Sequence, residues 1–306
     1  MILAAGLTPA WQQVLVFDAF TPGAVNRARQ VHWCASGKVL NVARALHQLG
    51  GRSKALAPVG GTLGQVIPRD FDRLGIAARW VEVGHPTRVC TTILDTTRHS
   101  ATELVTEAGA LSAAELEAFL CAYAEEAAAA TVVVLIGSLP PGTPAGFYRD
   151  LLGRTRGKAV LDVRGPELLE SLAARPFLVK PNRKELGRTV GQELRSEAEL
   201  FDAMGEMNRR GAKWVAVTDG ANTTFARSQD GLYRLRPVPR EVVNPIGCGD
   251  CMAAAIAWAT FQGREPLDAI RYGLAAAADK LGRLLPGQLD LSGVEAAFRS
   301  VDVTRL

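Results

Sequence analysis

Asn244-Pro245-Ile246-Gly247-Cys248-Gly249-Asp250 runs straight into Cys251-Met252-Ala253-Ala254-Ala255-Ile256-Ala257-Trp258-Ala259. The second stretch is small and apolar throughout, which predicts a buried helix beginning at or beside Gly249. Gly247 and Gly249 let the backbone pass close to a ligand. The first N–H groups of a helix have no partner inside it, and its dipole is positive there, so such a turn can hold an anion. Asp250 then stands beside the place an anion would occupy. A carboxylate next to an anion hole suits phosphoryl transfer to an alcohol: the hole takes the migrating charge and the carboxylate takes the proton. Taken alone, the motif reads better as a glycine-rich turn with an acidic N-terminal cap. The rest of the chain separates the two readings.

Outward from this motif, strand-like runs alternate with helical ones. Ile2-Leu3-Ala4-Ala5 opens as a strand, and Lys38 to Leu49 has helical spacing that stops at Gly50-Gly51. An Ala/Glu-rich helix over residues 112–130 feeds the strand Val132-Val133-Val134-Leu135-Ile136. A helix near 144–154, the strand Ala159-Val160-Leu161-Asp162, the short strand Phe177-Leu178-Val179-Lys180, a helix near 196–210 and the strand Trp214-Val215-Ala216-Val217-Thr218 follow. This alternation predicts an α/β fold with a mostly parallel sheet covered on both faces, and ligands at the C-terminal strand ends. Two stretches break the rhythm. Residues 12–33 and 86–107 hold β-rich runs with no long helix between them, and predict a small sheet that could act as a lid over the site.

Composition narrows the partners. With 306 residues, 48% of them hydrophobic and 22% charged, the chain has ample material for one large core. We expect a single domain over 1–306, with the two lid segments as its appendage. A net charge of +4 without a Lys/Arg-rich run argues against nucleic acid. No run is long and apolar enough for a membrane span, and five scattered cysteines predict a reduced, cytoplasmic setting. Cys248 and Cys251 form a C-x-x-C pair with no second pair nearby, so small lining residues are a better reading than zinc or redox chemistry. Gly37-Lys38 invites a P-loop reading. That motif needs a glycine where His32 stands and a Ser or Thr where Val39 stands, so the reading fails.

Seven motifs in order then carry a resemblance. They are Leu7-Thr8-Pro9-Ala10, Pro22-Gly23-Ala24-Val25-Asn26-Arg27-Ala28, Ser36-Gly37-Lys38-Val39-Leu40-Asn41-Val42-Ala43-Arg44-Ala45, Gly60-Gly61-Thr62-Leu63-Gly64, Gly137-Ser138-Leu139-Pro140-Pro141-Gly142, Lys180-Pro181-Asn182-Arg183-Lys184-Glu185-Leu186 and Thr218-Asp219-Gly220-Ala221. Completed by the glycine-rich motif above, the set resembles the ribokinase-like (PfkB) carbohydrate kinases, and within them the branch of 1-phosphofructokinase and tagatose-6-phosphate kinase. Each motif alone is weak, but their order and spacing are specific.

The resemblance implies a three-layer α/β/α sandwich with a small β-sheet lid, whose first strand would be residues 22–28. It implies ATP and Mg²⁺ as cofactors, with Asp250 as general base and Gly247, Cys248 and Gly249 as the anion hole. Lys180, Thr218 and Gly220 would meet ATP, and Asn182 and Glu185 would place the magnesium through water. Gln12, Gly37, Lys38, Asn41, Arg88 and Ser138 would face the sugar. Lids of this kind often pair between protomers, which implies a homodimer. Read on their own, Asn182 and Glu185 are better taken as a helix cap and a solvated first-turn acid, and Lys38 and Arg88 as a solvated helix-start lysine and an exposed strand residue.

Departures from the resembled pattern cluster on the sugar side. Gln12 stands where the family has a hydroxyl-gripping Asp, and Cys90 and Thr92 replace an Asn and a Lys after the lid arginine. The glycines around Lys38 are thinned. Glutamine lacks the charge that makes a carboxylate a strong hydroxyl acceptor. The expectation is an ATP-dependent kinase of a hexose phosphate such as fructose or tagatose phosphate. Its alternatives are a kinase of an unphosphorylated or unusual sugar or nucleoside, and a sugar-binding regulator with little turnover.

Overall fold

The computed structural model describes every residue except Ala221 and Asn222, so the Ala221 end of the Thr218–Ala221 motif lies outside the described residues. Seven strands form the parallel body of the large sheet: β1 (Ile2–Ala5), β4 (Ser53–Val59), β5 (Ala78–Glu82), β8 (Val132–Ile136), β9 (Lys158–Asp162), β10 (Leu178–Val179) and β11 (Trp214–Asp219). Three antiparallel strands extend one edge: β12 (Thr223–Arg227), β13 (Leu232–Arg236) and β14 (Asp302–Arg305). The order across the sheet is β14-β13-β12-β11-β10-β9-β8-β1-β4-β5.

The central strands are apolar end to end because both faces are covered. In β8, Val132, Val134 and Ile136 enter one core while Val133 and Leu135 enter the other. One core is closed by α1 (Lys38–Gln48), α2 (Leu63–Arg73), α8 (Cys248–Phe261), α9 (Pro266–Leu281) and α10 (Leu291–Ser300). On the other side lie α3 (Ala113–Ala127), α4 (Phe147–Leu152), α5 (Pro166–Ser171), α6 (Arg183–Val190) and α7 (Glu197–Arg210). This is the expected three-layer sandwich. Reciprocal capping boxes start α3, α6 and α7, at Ser112/Glu115, Asn182/Glu185 and Ser196/Glu199. The apolar helix α8 is buried on nearly every side, between α1 and α9. Among the described residues no helix is long and apolar enough to cross a membrane.

The lid is a separate sheet in the order β3-β2-β6-β7, built from β2 (Ala10–Phe17), β3 (Gln30–Ser36), β6 (Arg88–Asp95) and β7 (Ser100–Val105). Its centre is the parallel pair β2–β6, joining segments about seventy residues apart, with antiparallel neighbours outside. Residues 22–28 are not its first strand. They form a loop, because Gly23 turns the chain at φ 80° and Asn26 binds both the N–H and the carbonyl of Thr21. The inner face carries Val14, Val16 and Leu94, which rest on Leu284 and Leu285 of the body.

Candidate active site

Every strand of the parallel body points its C-terminal end to the same side. Thr8 and Ser138 lie just beyond β1 and β8 there, Asp162 ends β9, Lys180 follows β10, and Thr218 lies near the end of β11. Gly37 brings α1 to this rim. At φ 85° a side chain there would be strained, and a Cβ would come within 2.7 Å of the Thr8 carbonyl and 2.9 Å of the Ala10 nitrogen. Only glycine lets the first turn of α1 press against the strand exit, which aims Lys38 and Asn41 inward.

The helix α8 begins at Cys248, beside Gly249 as expected. Its cap, Gly247, sits at φ 89° with no side-chain cap, and its carbonyl accepts from Cys251 N–H at 3.0 Å. Among the described residues no acceptor takes the amides of Gly249 and Asp250, the arrangement that favours an anion. Cys248 and Cys251 are free thiols. Burial pushes Cys248 up to about 11 and Cys251 well above the ordinary thiol range, so both stay protonated at neutral pH.

Asp250 itself is buried. Its Oδ2 accepts from Asn41 Nδ2 at 2.7 Å, and Asn41 Oδ1 accepts from Ser36 Oγ at 2.9 Å. The last residue of the lid strand β3 therefore orients the amide that orients the carboxylate. Burial raises Asp250 to about 6, while Lys38 and the Asn41 bond pull it down, Asp162 pushes it up and Lys180 pulls it down. An acid poised near 6 is ionised at neutral pH yet basic enough to accept a proton.

Asp162 is the residue the sequence reading missed as part of the site. Its Oδ2 pairs with Lys180 Nζ at 3.0 Å, both side chains being only 4% exposed, and its Oδ1 lies 3.7 Å from Lys38 Nζ. Burial alone raises its pKa, but the two lysines hold it below the usual carboxylate value. Asp162 in turn is the main reason Lys38 lies above the lysine range, ahead of the opposing desolvation and the pull of Asp250 and Glu185. An acid at the C-terminal tip of a central parallel strand is the signal that would have found it. Lys180 Nζ would lie 3.5 Å from a Cβ at Gly249, so this ammonium borders the open first turn of α8.

On the other wall, Asn182 and Glu185 cap α6 reciprocally. Glu185 N–H donates to Asn182 Oδ1 at 2.8 Å, and Asn182 N–H donates to Glu185 Oε2 at 3.0 Å. Glu185 Oε1 faces Arg164 at 3.7 Å and Lys38 at 4.0 Å. Lys38, Ser138, Asp162, Arg164, Glu185 and Arg188 line a cleft of about 410 Å³. Thr218 pairs with Asn182 through a parallel bridge, and Gly220 turns the chain out of β11 at φ 64°.

The sugar-side residues divide. Gln12 is buried on the inner face of the lid and donates to Thr92 Oγ1 at 2.9 Å, so two of the departures are each other's partners. Cys90 is also buried. Arg88 donates to the carbonyls of Thr8, Pro9 and Thr106, at 3.1, 3.4 and 3.2 Å, which ties the lid strand β6 to the strand exit.

A parallel α/β sandwich with a lid, a buried carboxylate and an open helix N-terminus is an arrangement that can host phosphoryl transfer to an alcohol. The chain belongs to the pfkB family of carbohydrate kinases, whose model matches residues 10–285. It is 31% identical over 290 residues to the ATP-dependent 6-phosphofructokinase isozyme 2 of Mycobacterium tuberculosis, covering 94% of this chain and 85% of the relative. Among solved structures it is similar to a protein described as a possible 1-phosphofructokinase from Thermotoga maritima, with TM-score 0.92 and 20% identity over 100% of this chain and 99% of the other. Phosphofructokinase-2 from Escherichia coli in complex with fructose-6-phosphate has TM-score 0.88 and 24% identity over 98% and 99%.

Proposed function

We propose that the protein transfers the terminal phosphoryl group of ATP to a hydroxyl of a hexose phosphate, with Asp250 as the general base. The observation that carries this reading is the buried Ser36–Asn41–Asp250 chain beneath the unclaimed amides of Gly249 and Asp250. Asn41 donates to Oδ2, so Oδ1 is the oxygen left to accept the hydroxyl proton. The alcohol oxygen then attacks phosphorus as the bond to the leaving ADP breaks. Charge on the transferring group falls to the α8 amides and to the ammonium groups of Lys38 and Lys180.

The nucleotide side is Lys180, Thr218 and Gly220, at the ends of β10 and β11. Asn182 and Glu185 suit a magnesium ion held through its water. Their inner oxygens are spent on the α6 cap, while Glu185 Oε1 is a hard oxygen facing the cleft. When bound, magnesium neutralises phosphate charge. Lys38 and Arg88 supply positive charge for a phosphorylated acceptor, and Gln12, Gly37, Asn41 and Ser138 complete the sugar side.

The homodimer reading is supported by the outer face of the lid. Strand register puts Trp11, Val31, Trp33, Val89 and Leu104 on that one face. Trp33 is 47% and Leu104 54% exposed, and Trp11 stacks on Trp33. An apolar face of this kind is what a second lid would cover.

Steady-state ADP release tests the substrate, with fructose 1-phosphate, fructose 6-phosphate and tagatose 6-phosphate run against fructose, ribose and a nucleoside. The expected result is a kcat/KM in the ordinary enzymatic range, about 10⁴ M⁻¹s⁻¹ or above, for one hexose phosphate. A second reading, a kinase of an unphosphorylated sugar, is favoured by the Gln12–Thr92 bond, which leaves the lid's inner face without the charges the family pattern has there. Turnover confined to the unphosphorylated acceptors would establish it and overturn the first.

A further inference from the structure

Lys280 lies in the last turn of α9 with 0% of its surface exposed. Its Nζ donates to the carbonyl of Asn244 at 2.9 Å and to that of Arg283 at 3.0 Å. Among the described residues no carboxylate is within ion-pair distance of it. The neighbouring Asp279 spends Oδ1 on Arg283 at 2.9 Å and Oδ2 on the Asp290 N–H at 2.9 Å. A buried ammonium without a counter-ion is costly, so it persists where dipoles replace its water. Two backbone carbonyls at this distance are what a dissolved monovalent cation would also seek.

The two carbonyls belong to the two sides of one seam. Asn244 opens the glycine-rich loop, and is stitched across the seam three ways. Its N–H reaches Leu281 O at 3.2 Å and its Nδ2 reaches Leu284 O at 2.7 Å, with Lys280 as the third tie. Asn244 Oδ1 meanwhile accepts from Ile246 N–H at 2.9 Å, which shapes the approach to Gly247. Gly247 is packed so closely against the far side that a Cβ there would lie 3.2 Å from the Gly287 nitrogen. Leu284 and Leu285, on the same far segment, support the inner face of the lid. Burial pushes the Lys280 pKa down, and Cys248, Cys251, Asp250 and Asp279 around it partly offset that.

We propose that Lys280 is a tethered monovalent cation: its ammonium clamps the carbonyls of Asn244 and Arg283 and so fixes the anion-binding first turn of α8, making dissolved potassium unnecessary. Lys280 touches neither substrate, and is a positioning residue. Its effect on turnover rests on the kinase reading above; its effect on the fold does not.

The test compares wild type, Lys280→Ala, Lys280→Met and Lys280→Gln in potassium, ammonium and choline chloride at equal ionic strength, by thermal melting and by turnover. The wild type is expected to be indifferent to the cation in both. Lys280→Ala should lose about 10²-fold in turnover in choline, the scale of a misplaced catalytic turn. Potassium or ammonium, which fit the vacated space, should restore part of it and raise the Tm by mass action. Lys280→Met fills the space without charge and should show no rescue. A wild type that requires potassium, or a Lys280→Ala indifferent to the cation in both readouts, overturns the clamp. Near-normal turnover of Lys280→Gln in choline also overturns it, because a neutral donor would then suffice. Potassium-specific stabilisation of Lys280→Ala, alongside a wild type that phosphorylates no sugar, would sustain the clamp and sink the kinase reading.

Discussion

At the scale of the residue, Asp250 is held in conflict with stability. Its pKa stands at about 6 in the fold, against an ordinary value of 3.8, because burial penalises the charge. Between those values the folded state binds the proton that the unfolded state has released, so stability falls as pH rises, and the cost is fully present above about 6. Asp250→Asn removes that charge and keeps the shape. It should raise the Tm at neutral pH, by the equivalent of roughly 1–3 kcal/mol, while lowering kcat by on the order of 10²–10⁴. Calorimetric melting and single-turnover assays on one preparation check both. The pH profile carries the same sign: kcat/KM of the wild type should fall tenfold per pH unit below about 6 as the base protonates. A profile flat down to pH 5 would leave Asp250 as a helix-start acid.

At the scale of the element, α6 carries one pair of residues with an observed duty, the cap, and a proposed one, the magnesium. Asn182 and Glu185 close its first turn, and the remaining Glu185 oxygen faces the cleft between Arg164 and Lys38. The duties come apart under substitution, because glutamine also completes a capping box. Glu185→Gln should leave the Tm within a degree or two and the sugar affinity unchanged, yet raise the magnesium concentration needed for half-maximal turnover. Glu185→Ala should add a loss of about 1 kcal/mol from the cap. Magnesium titrations of activity beside calorimetric sugar titrations separate these effects. Weakened sugar binding with unaltered magnesium dependence would remove both residues from the nucleotide side.

At the scale of the whole molecule, the homodimer proposed through the lid's outer face can be tested directly. Trp33→Glu puts a charge at the centre of the exposed apolar face formed with Trp11, Val31, Val89 and Leu104. Light scattering after size exclusion should show a dimer for the wild type and a monomer for the variant, with unchanged circular dichroism. A wild type that is monomeric at micromolar concentration would end the dimer reading.

The backbone of the fold was readable because it is written locally. The β-branched run Val132–Ile136 is a strand with those bounds, and the uniformly small, apolar Cys251–Ala259 lies in a helix buried on nearly every side. Periodicity and the β-α order needed only neighbours in sequence, and from them the parallel sheet and its C-terminal rim followed. Motif spacing supplied Asp250, the glycines beside it and the Asn182–Glu185 pair.

What the tertiary structure alone decided was which distant groups meet. Asn41 and Asp250 are 209 residues apart and share a hydrogen bond. Gln12 and Thr92, each a departure when read singly, bond to each other across the lid. Asp162 reads as the tail of an apolar strand until Lys38 and Lys180 are seen on either side of it, and Lys280 is singled out only by its burial in the packed fold. The two β-rich segments do form the lid, but residues 22–28, expected as its first strand, are a loop turned by Gly23. A hydrophobic pattern states which face of an element is buried. It cannot state the partner of a polar group, because that is fixed by packing across the sheet, where the electrostatic energies that tune Asp250 and hold Lys280 arise.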